Sequence, residues 1–284
     1  MKSKLIRVTR ANPCPICEKD TWCMYNEESA LCMRAASSRP INLKSGETGY
    51  WHDLNGKRVK YVAPKKENAP QIDAEPMALN WRDRTKPVDL LDLADDLGVK
   101  PHSLVALNVG WASEHRAWSF PMRDSGGKIC GIRLRAQDGK KWSVPGSKSG
   151  IFLPWCSAGR TMWIVEGATD LAAILSMGLF GVGRPSCSGG TDEINAAIRR
   201  LHIQRAVIIS DNDQDKVMTT GQVYNPGADG AKRLSERLVV PNCVITLPVK
   251  DAREYLAFGG TAQMLENMTK EQLWQNSSVR TADS

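Results

Sequence analysis

The stretch "RAVIISDNDQDK", Arg205 to Lys216, sets the reading of this sequence. Ala206, Val207, Ile208 and Ile209 form a continuous apolar run, not an alternating one. That pattern fits a short strand buried on both faces, as in a parallel sheet covered by helices. Asp211, Asp213 and Asp215 follow at its carboxyl end. In an open α/β sheet ligands bind at that edge, so the acids are placed for a site; an acidic turn capping the next helix is the plainer alternative.

Working outward, a β-α rhythm starts at Thr161. The strand "MWIVE" leads into the helix "ATDLAAILSMG", then "FGVG", the helix "TDEINAAIRRLH", the strand "RAVIIS", a helix near "ADGAKRLSERL" and the strand "NCVITLP". This alternation predicts a parallel sheet flanked by helices. The first of these strands also ends in a carboxylate, Glu166, with Asp170 one helical turn later. If the two strands are neighbours, Glu166, Asp211 and Asp213 converge. Like charges that close repel and need compensation. A hard divalent cation such as Mg²⁺, which takes oxygen ligands and keeps waters or phosphates as the remainder, would supply it.

Upstream, "HRAWSFPMRDSGGKICGIRLRAQDGKKWSVPG" alternates apolar and basic residues through two glycine-containing turns, as an antiparallel meander with one wet, cationic face would. Trp118 and Trp142 interleave with the cations, a combination suited to holding phosphates and stacking bases. Before it, "PVDLLDLADDLGVKPHSLVALNVGW" has helical spacing, with Gly98 as a stop and Lys100-Pro101 opening a second helix.

The first 63 residues are of another kind. Four of the eight cysteines fall there, as Cys14-x2-Cys17-x5-Cys23-x8-Cys32. A clustered set of soft thiolates suits tetrahedral zinc, with the C-x-x-C turn aiming two sulfurs at one ion. The second pair is spaced as a hairpin would be, one cysteine per strand. His52 is an alternative ligand, and Trp22 is a candidate stacking residue or a core residue of the small ribbon. A hairpin around Asn55-Gly56 would complete the module. "PKKENAPQIDAEP" then reads as a linker.

The expected organisation is a zinc ribbon over 1–63, a linker over 64–86, a mixed α+β basic subdomain over 87–160, a parallel α/β domain over 161–258 and a polar tail over 259–284. The chain has 284 residues and a net charge of +7, which favours a polyanionic partner. No apolar run approaches the ~20 residues of a membrane span, and the basic N-terminus lacks the apolar core of a secretory signal. A cytoplasmic protein is expected, with no membrane partner.

The set Glu166-Gly167-x-x-Asp170, then "SDND", then "KDAREYL" resembles the Toprim domain of primases, topoisomerases, small nucleases and a recombination mediator. The preceding basic stretch resembles the subdomain that comes before Toprim in DnaG-type primases, where a zinc ribbon stands first. The resemblance implies a primase, from a phage or other mobile element, that makes RNA primers on single-stranded DNA from ribonucleoside triphosphates. A replicative helicase is a candidate partner. It implies that Glu166, Asp211 and Asp213 are catalytic, that these with Asp170 hold Mg²⁺ or Mn²⁺, and that Cys14, Cys17, Cys23 and Cys32 hold Zn²⁺. Template or nucleotide would meet Arg116, Arg123, Lys128, Arg133, Lys141 and Lys232. "SCSGG", Ser186 to Gly190, would lie near the phosphates. The stretch from Lys216 to Gly230 is longer than the family's terse turn at that place. A Toprim nuclease and a non-catalytic zinc/Toprim recombination clamp are the competing readings.

Overall fold

Alternate residues of the central strands enter two different cores. In the computed structural model, which describes residues 5–43, 47–54, 71–155, 159–212, 216–217, 223–270 and 272, β10 (Thr161–Glu166) sends Trp163 and Val165 to one core and Met162 and Ile164 to the other. β12 (Arg205–Ser210) divides Val207 and Ile209 from Ala206 and Ile208 in the same way. Strand side chains alternate sides, so a run that is apolar throughout requires cover on both faces.

The cover comes from the helices between the strands. α4 (Ala168–Ser176) is buried over most of its surface, as its apolar sequence demands. α5 (Thr191–Arg200) turns Ile194, Ala197 and Ile198 inward on the opposite face and leaves Arg199 and Arg200 outside. With β11 (Gly181–Arg184) and β15 (Asn242–Thr246) the sheet has the order β11-β10-β12-β15, and all three pairings are parallel. α6 (Pro226–Ser235), α7 (Ala252–Ala257) and α8 (Ala262–Lys270) complete this region, and a short hairpin pairs β13 (Lys216–Val217) with β14 (Val223–Tyr224).

Before it stand α2 (Pro87–Leu97), α3 (Pro101–Ala106) and a four-stranded antiparallel sheet of β6 (Gly110–Ala112), β7 (Ala117–Arg123), β8 (Ile129–Ala136) and β9 (Lys141–Ser143). Both helices open on proline at their first turn, and Gly98, at φ 65°, ends α2 with the backbone bonds of a left-handed cap.

Two expectations fail together here. Residues 74–84, assigned to the linker, form α1 (Ala74–Arg84). Ala74, Ala78 and Trp81 recur at helical spacing and pack on Ala117, Ile132 and Leu134, while Trp81 Nε1 donates to Glu114 Oε1 at 2.8 Å. Helix α1 covers the apolar face of the antiparallel sheet, and the cationic face that was expected to be wet is turned to the parallel sheet. Strand β7 is buried along almost its whole length, and Trp118, expected as a stacking surface, sits in the core edge-on to Trp111. Three well-spaced residues in a proline-flanked segment were too few to announce a helix that tertiary packing stabilises.

The chain divides into two compact units, 1–69 and 70–284. The first is a five-stranded antiparallel sheet of β1 (Ile6–Arg7), β2 (Met24–Tyr25), β3 (Ser29–Cys32), β4 (Pro40–Asn42) and β5 (Thr48–Asp53), in the order β1-β2-β3-β5-β4. The expected Asn55-Gly56 hairpin lies outside the described residues. Among the described residues no helix is long and apolar enough to cross a membrane.

Candidate functional site

In the first unit the four cysteines come together. Their sulfur atoms all lie within 4.8 Å of one another and all four residues are buried. Met24 pairs with Leu31, so the next position outward sets Cys23 opposite Cys32 at the open end of the β2–β3 hairpin. This explains the eight-residue spacing. The other pair sits on a tight turn closed by the Glu18 N–H donating to the Cys14 carbonyl at 2.9 Å, with Glu18 at φ 57°.

The donor set fits zinc. Zn–S bonds of about 2.3 Å place tetrahedral sulfurs about 3.8 Å apart, and Cys17–Cys23 and Cys23–Cys32 stand at 3.7 and 3.9 Å. The N–H groups of Arg34 and Ala35 donate to Cys32 Sγ, and that of Met33 to Cys23 Sγ, as stabilisers of thiolate charge do. The contact with Cys32 holds the Cys14 thiol down at about 5, and burial pushes Cys23 up to about 11. His52 is not a ligand: its Nε2 meets the Ala35 carbonyl at 3.1 Å. Trp22 is 69% exposed, which settles its place outside the ribbon core.

In the second unit the acids are assembled by strand register. Ile164 pairs with Ile208, so Glu166 lies level with Ser210, one residue before Asp211. Adjacent strands are about 4.8 Å apart, which brings the two carboxylates to one edge. The Asn212 N–H donates to the Lys250 carbonyl at 2.9 Å and draws the segment carrying Asp251 to the same place. A Cβ on Gly227 would stand 2.6 Å from the Asp211 carbonyl oxygen, so only glycine lets α6 begin against this strand end.

Glu166, Asp170, Asp211 and Asp251 line one cavity of about 330 Å³. Across it stand Arg133, Arg135 and Lys141. Their alignment follows from pairing: Arg133 is opposite Phe120, Arg135 is opposite Trp118 and Lys141, and paired residues share a face. That face is turned to the parallel sheet. Lys250 and Arg253 add two more cations. Asp170 is the most enclosed acid, at 8% exposure. Burial, with the neighbouring charge of Asp251, pushes its carboxyl up to about 6, against the pull of Arg253 and Lys141.

Other expected residues lie elsewhere. Arg116 is exposed in the turn before β7, Lys128 is exposed at the β7–β8 turn, and Lys232 is exposed on α6. Arg123 is taken up by the carbonyls of Leu153 and Gly127. None of the four lines the acid cavity. Asp213 and Asp215 lie outside the described residues. Of the "SCSGG" segment, only the preceding Pro185 reaches the cavity, and Arg184 fastens the loop by donating to Gly189 and Gly230 carbonyls. Reasoning from the sequence missed Lys250 and Arg253 as cavity residues, and counted Arg135 among the cations of the meander without naming it as a binding residue. Arg135 had a signal, since it alternates with Arg133 on one strand.

Together these features define an architecture: a four-stranded parallel sheet flanked by helices and preceded by a basic antiparallel sheet, with a separate four-cysteine ribbon. The fold is that of the DnaG primase catalytic core. A DnaG primase catalytic domain bound to ssDNA matches with a TM-score of 0.54 at 13% identity, over 71% of this chain and 78% of that one. The E. coli primase catalytic core gives 0.52 at 13%, over 71% and 79%. The zinc-binding and RNA polymerase domains of the Aquifex aeolicus primase give 0.53 at 15%, over 71% and 60%. No protein-family model matches the sequence, and no curated protein does. At these identities the likeness is one of fold.

Proposed function

We propose that the protein is a DNA primase, a nucleotidyltransferase that joins ribonucleotides on a single-stranded DNA template in the cytoplasm of a bacterial host. The observation that carries this is the cavity itself. Carboxylates from two strand ends face a row of cations from a separate sheet across a space of about 330 Å³. A site for a bare metal would not need the cations, and one for a bare anion would not need the acids. A metal-bound triphosphate needs both.

Glu166 and Asp211 supply hard oxygen donors at adjacent strand ends, as Mg²⁺ or Mn²⁺ requires. Bound there, the ion would polarise the attacking 3′-hydroxyl and stabilise charge on the leaving pyrophosphate. Arg135 and Lys141 on the opposite wall, with Lys250 beside the acids, orient the triphosphate and neutralise its oxygens. In the ribbon, Trp22 offers an exposed ring to a template base, with Arg34 beside it for the phosphate.

Primer synthesis from labelled ribonucleotides on a mixed library of single-stranded templates tests the proposal. Glu166→Gln and Asp211→Asn are expected to lower the rate by about a thousandfold each, with the fold intact by circular dichroism. No product from the wild-type chain would refute it, and shortened template strands would point instead to a nuclease.

A further inference from the structure

A cation stands over the four-cysteine cluster. Backbone N–H groups serve the sulfurs of Cys23 and Cys32, but Cys17 Sγ is met by a side chain: Arg34 Nη1 lies 4.0 Å from it and 3.7 Å from Cys23 Sγ. One N–H aimed between two sulfurs gives contacts of this length, so the interaction is chiefly one of charge. The charge is wanted there. Four thiolates around Zn²⁺ leave two uncompensated negative charges in a buried cluster, where a nearby guanidinium counts for more than it would in water.

The same guanidinium holds the chain beside the cluster. Nη1 donates to the Thr21 carbonyl at 2.7 Å and Nη2 to Thr21 Oγ1 at 2.8 Å. That carbonyl belongs to the peptide leading into Trp22, which adopts φ 73°, in the left-handed region that a bulky side chain rarely enters. A backbone in such a state persists only where its surroundings hold it. The indole is 69% exposed, so burial does not hold it. Instead the turn is fastened on one side by the ligand Cys23 and on the other by Arg34. Trp22 and Arg34 line one groove with Met33, Glu47 and Thr48.

The geometry points to Arg34 as the residue that ties the zinc centre to Trp22: its guanidinium offsets thiolate charge at Cys17 and Cys23 and, through Thr21, fixes the turn that presents the indole. Arg34 is then a positioning residue. Arginine's planar fork reaches the two sulfurs and both oxygens of Thr21 at once, whereas a lysine would supply the charge without the fork. These contacts use three of the five N–H groups of an arginine, which leaves donors for a template phosphate. The inference rests on the zinc reading of the ribbon and not on primer synthesis.

Measurements on the full chain test it without template or nucleotide. Competition with a chromophoric chelator reads zinc affinity, the sulfur-to-metal charge-transfer band of the Co²⁺-loaded chain reads thiolate charge, and amide order parameters from NMR relaxation read the Trp22 turn. Arg34→Gln should hold zinc about tenfold more weakly. Its cobalt band should move to longer wavelength, because thiolates without the cation give up charge more readily. The Trp22 amide order parameter should fall from about 0.85 to below about 0.6. Arg34→Lys should keep the band near its wild-type position yet lose the order at Trp22, a split that a merely structural role would not produce. An unchanged Trp22 order parameter in Arg34→Lys overturns the proposal, even where Arg34→Gln does not fold. Unchanged zinc affinity and cobalt band in Arg34→Gln would overturn it too, with the zinc reading left standing. A wild-type chain that takes up no zinc would sink that reading and this inference with it.

Discussion

The cysteine cluster and the acid cavity are both constellations of negative ligands, yet the chain reaches them by different routes. The cysteines fall within residues 14 to 32 and meet through one turn and one hairpin. The cavity draws on residues from Phe120 to Arg253, joined by a parallel sheet, an antiparallel sheet and a loop after β15. A local site writes its geometry into its spacing. A topological site writes only its pieces into the sequence, and the register between strands does the rest.

The sharpest way to break this comparison is to remove one ligand from the local site. Structural zinc in small modules contributes about 10 kcal/mol or more to folding. Cys14→Ser is expected to abolish stoichiometric zinc and unfold the first unit, while the second keeps its melting transition; calorimetry with zinc analysis reads both. A shared collapse of the two transitions would mean that the ribbon is not energetically separate.

A smaller effect tests the other side. The Asp170 carboxyl titrates near 6 in the folded chain against 3.8 when unfolded. A raised acid holds its proton more strongly in the folded state, so its contribution to stability falls as pH rises from about 4 to 6 and stays lost above. Asp170→Asn should flatten that part of the pH profile, measured by urea unfolding between pH 4 and 7. An unchanged slope would show that the buried acid is compensated more fully than its surroundings indicate.

The same contrast explains what was legible beforehand. The continuous run Ala206–Ile209 announced a strand covered on both sides, and the two cores confirm it residue by residue. The four cysteines were legible as a set because thiolate spacing has few other uses. Glu166 and Asp211 were legible as strand ends, but their meeting depended on β10 lying beside β12, which sequence order alone does not fix. The basic wall was half legible. Arg133 and Lys141 were found, but Arg116, Arg123, Lys128 and Lys232 carry the same charge and point elsewhere. Charge marks a residue as polar, and pairing across strands decides which way it faces. The wet face predicted for the meander failed for a related reason, because that face turns to the parallel sheet, a tertiary contact that alternation along one strand does not announce.

The central claim is that carboxylates from β10 and β12 share one divalent ion opposite the cations of β8 and β9. Anomalous scattering from crystals soaked with Mn²⁺ and a ribonucleoside triphosphate tests it most directly. The account predicts a manganese peak between Glu166 and Asp211, with phosphate oxygens reaching Arg135 and Lys141. A peak on neither carboxylate, with the nucleotide bound outside the cavity, would contradict it.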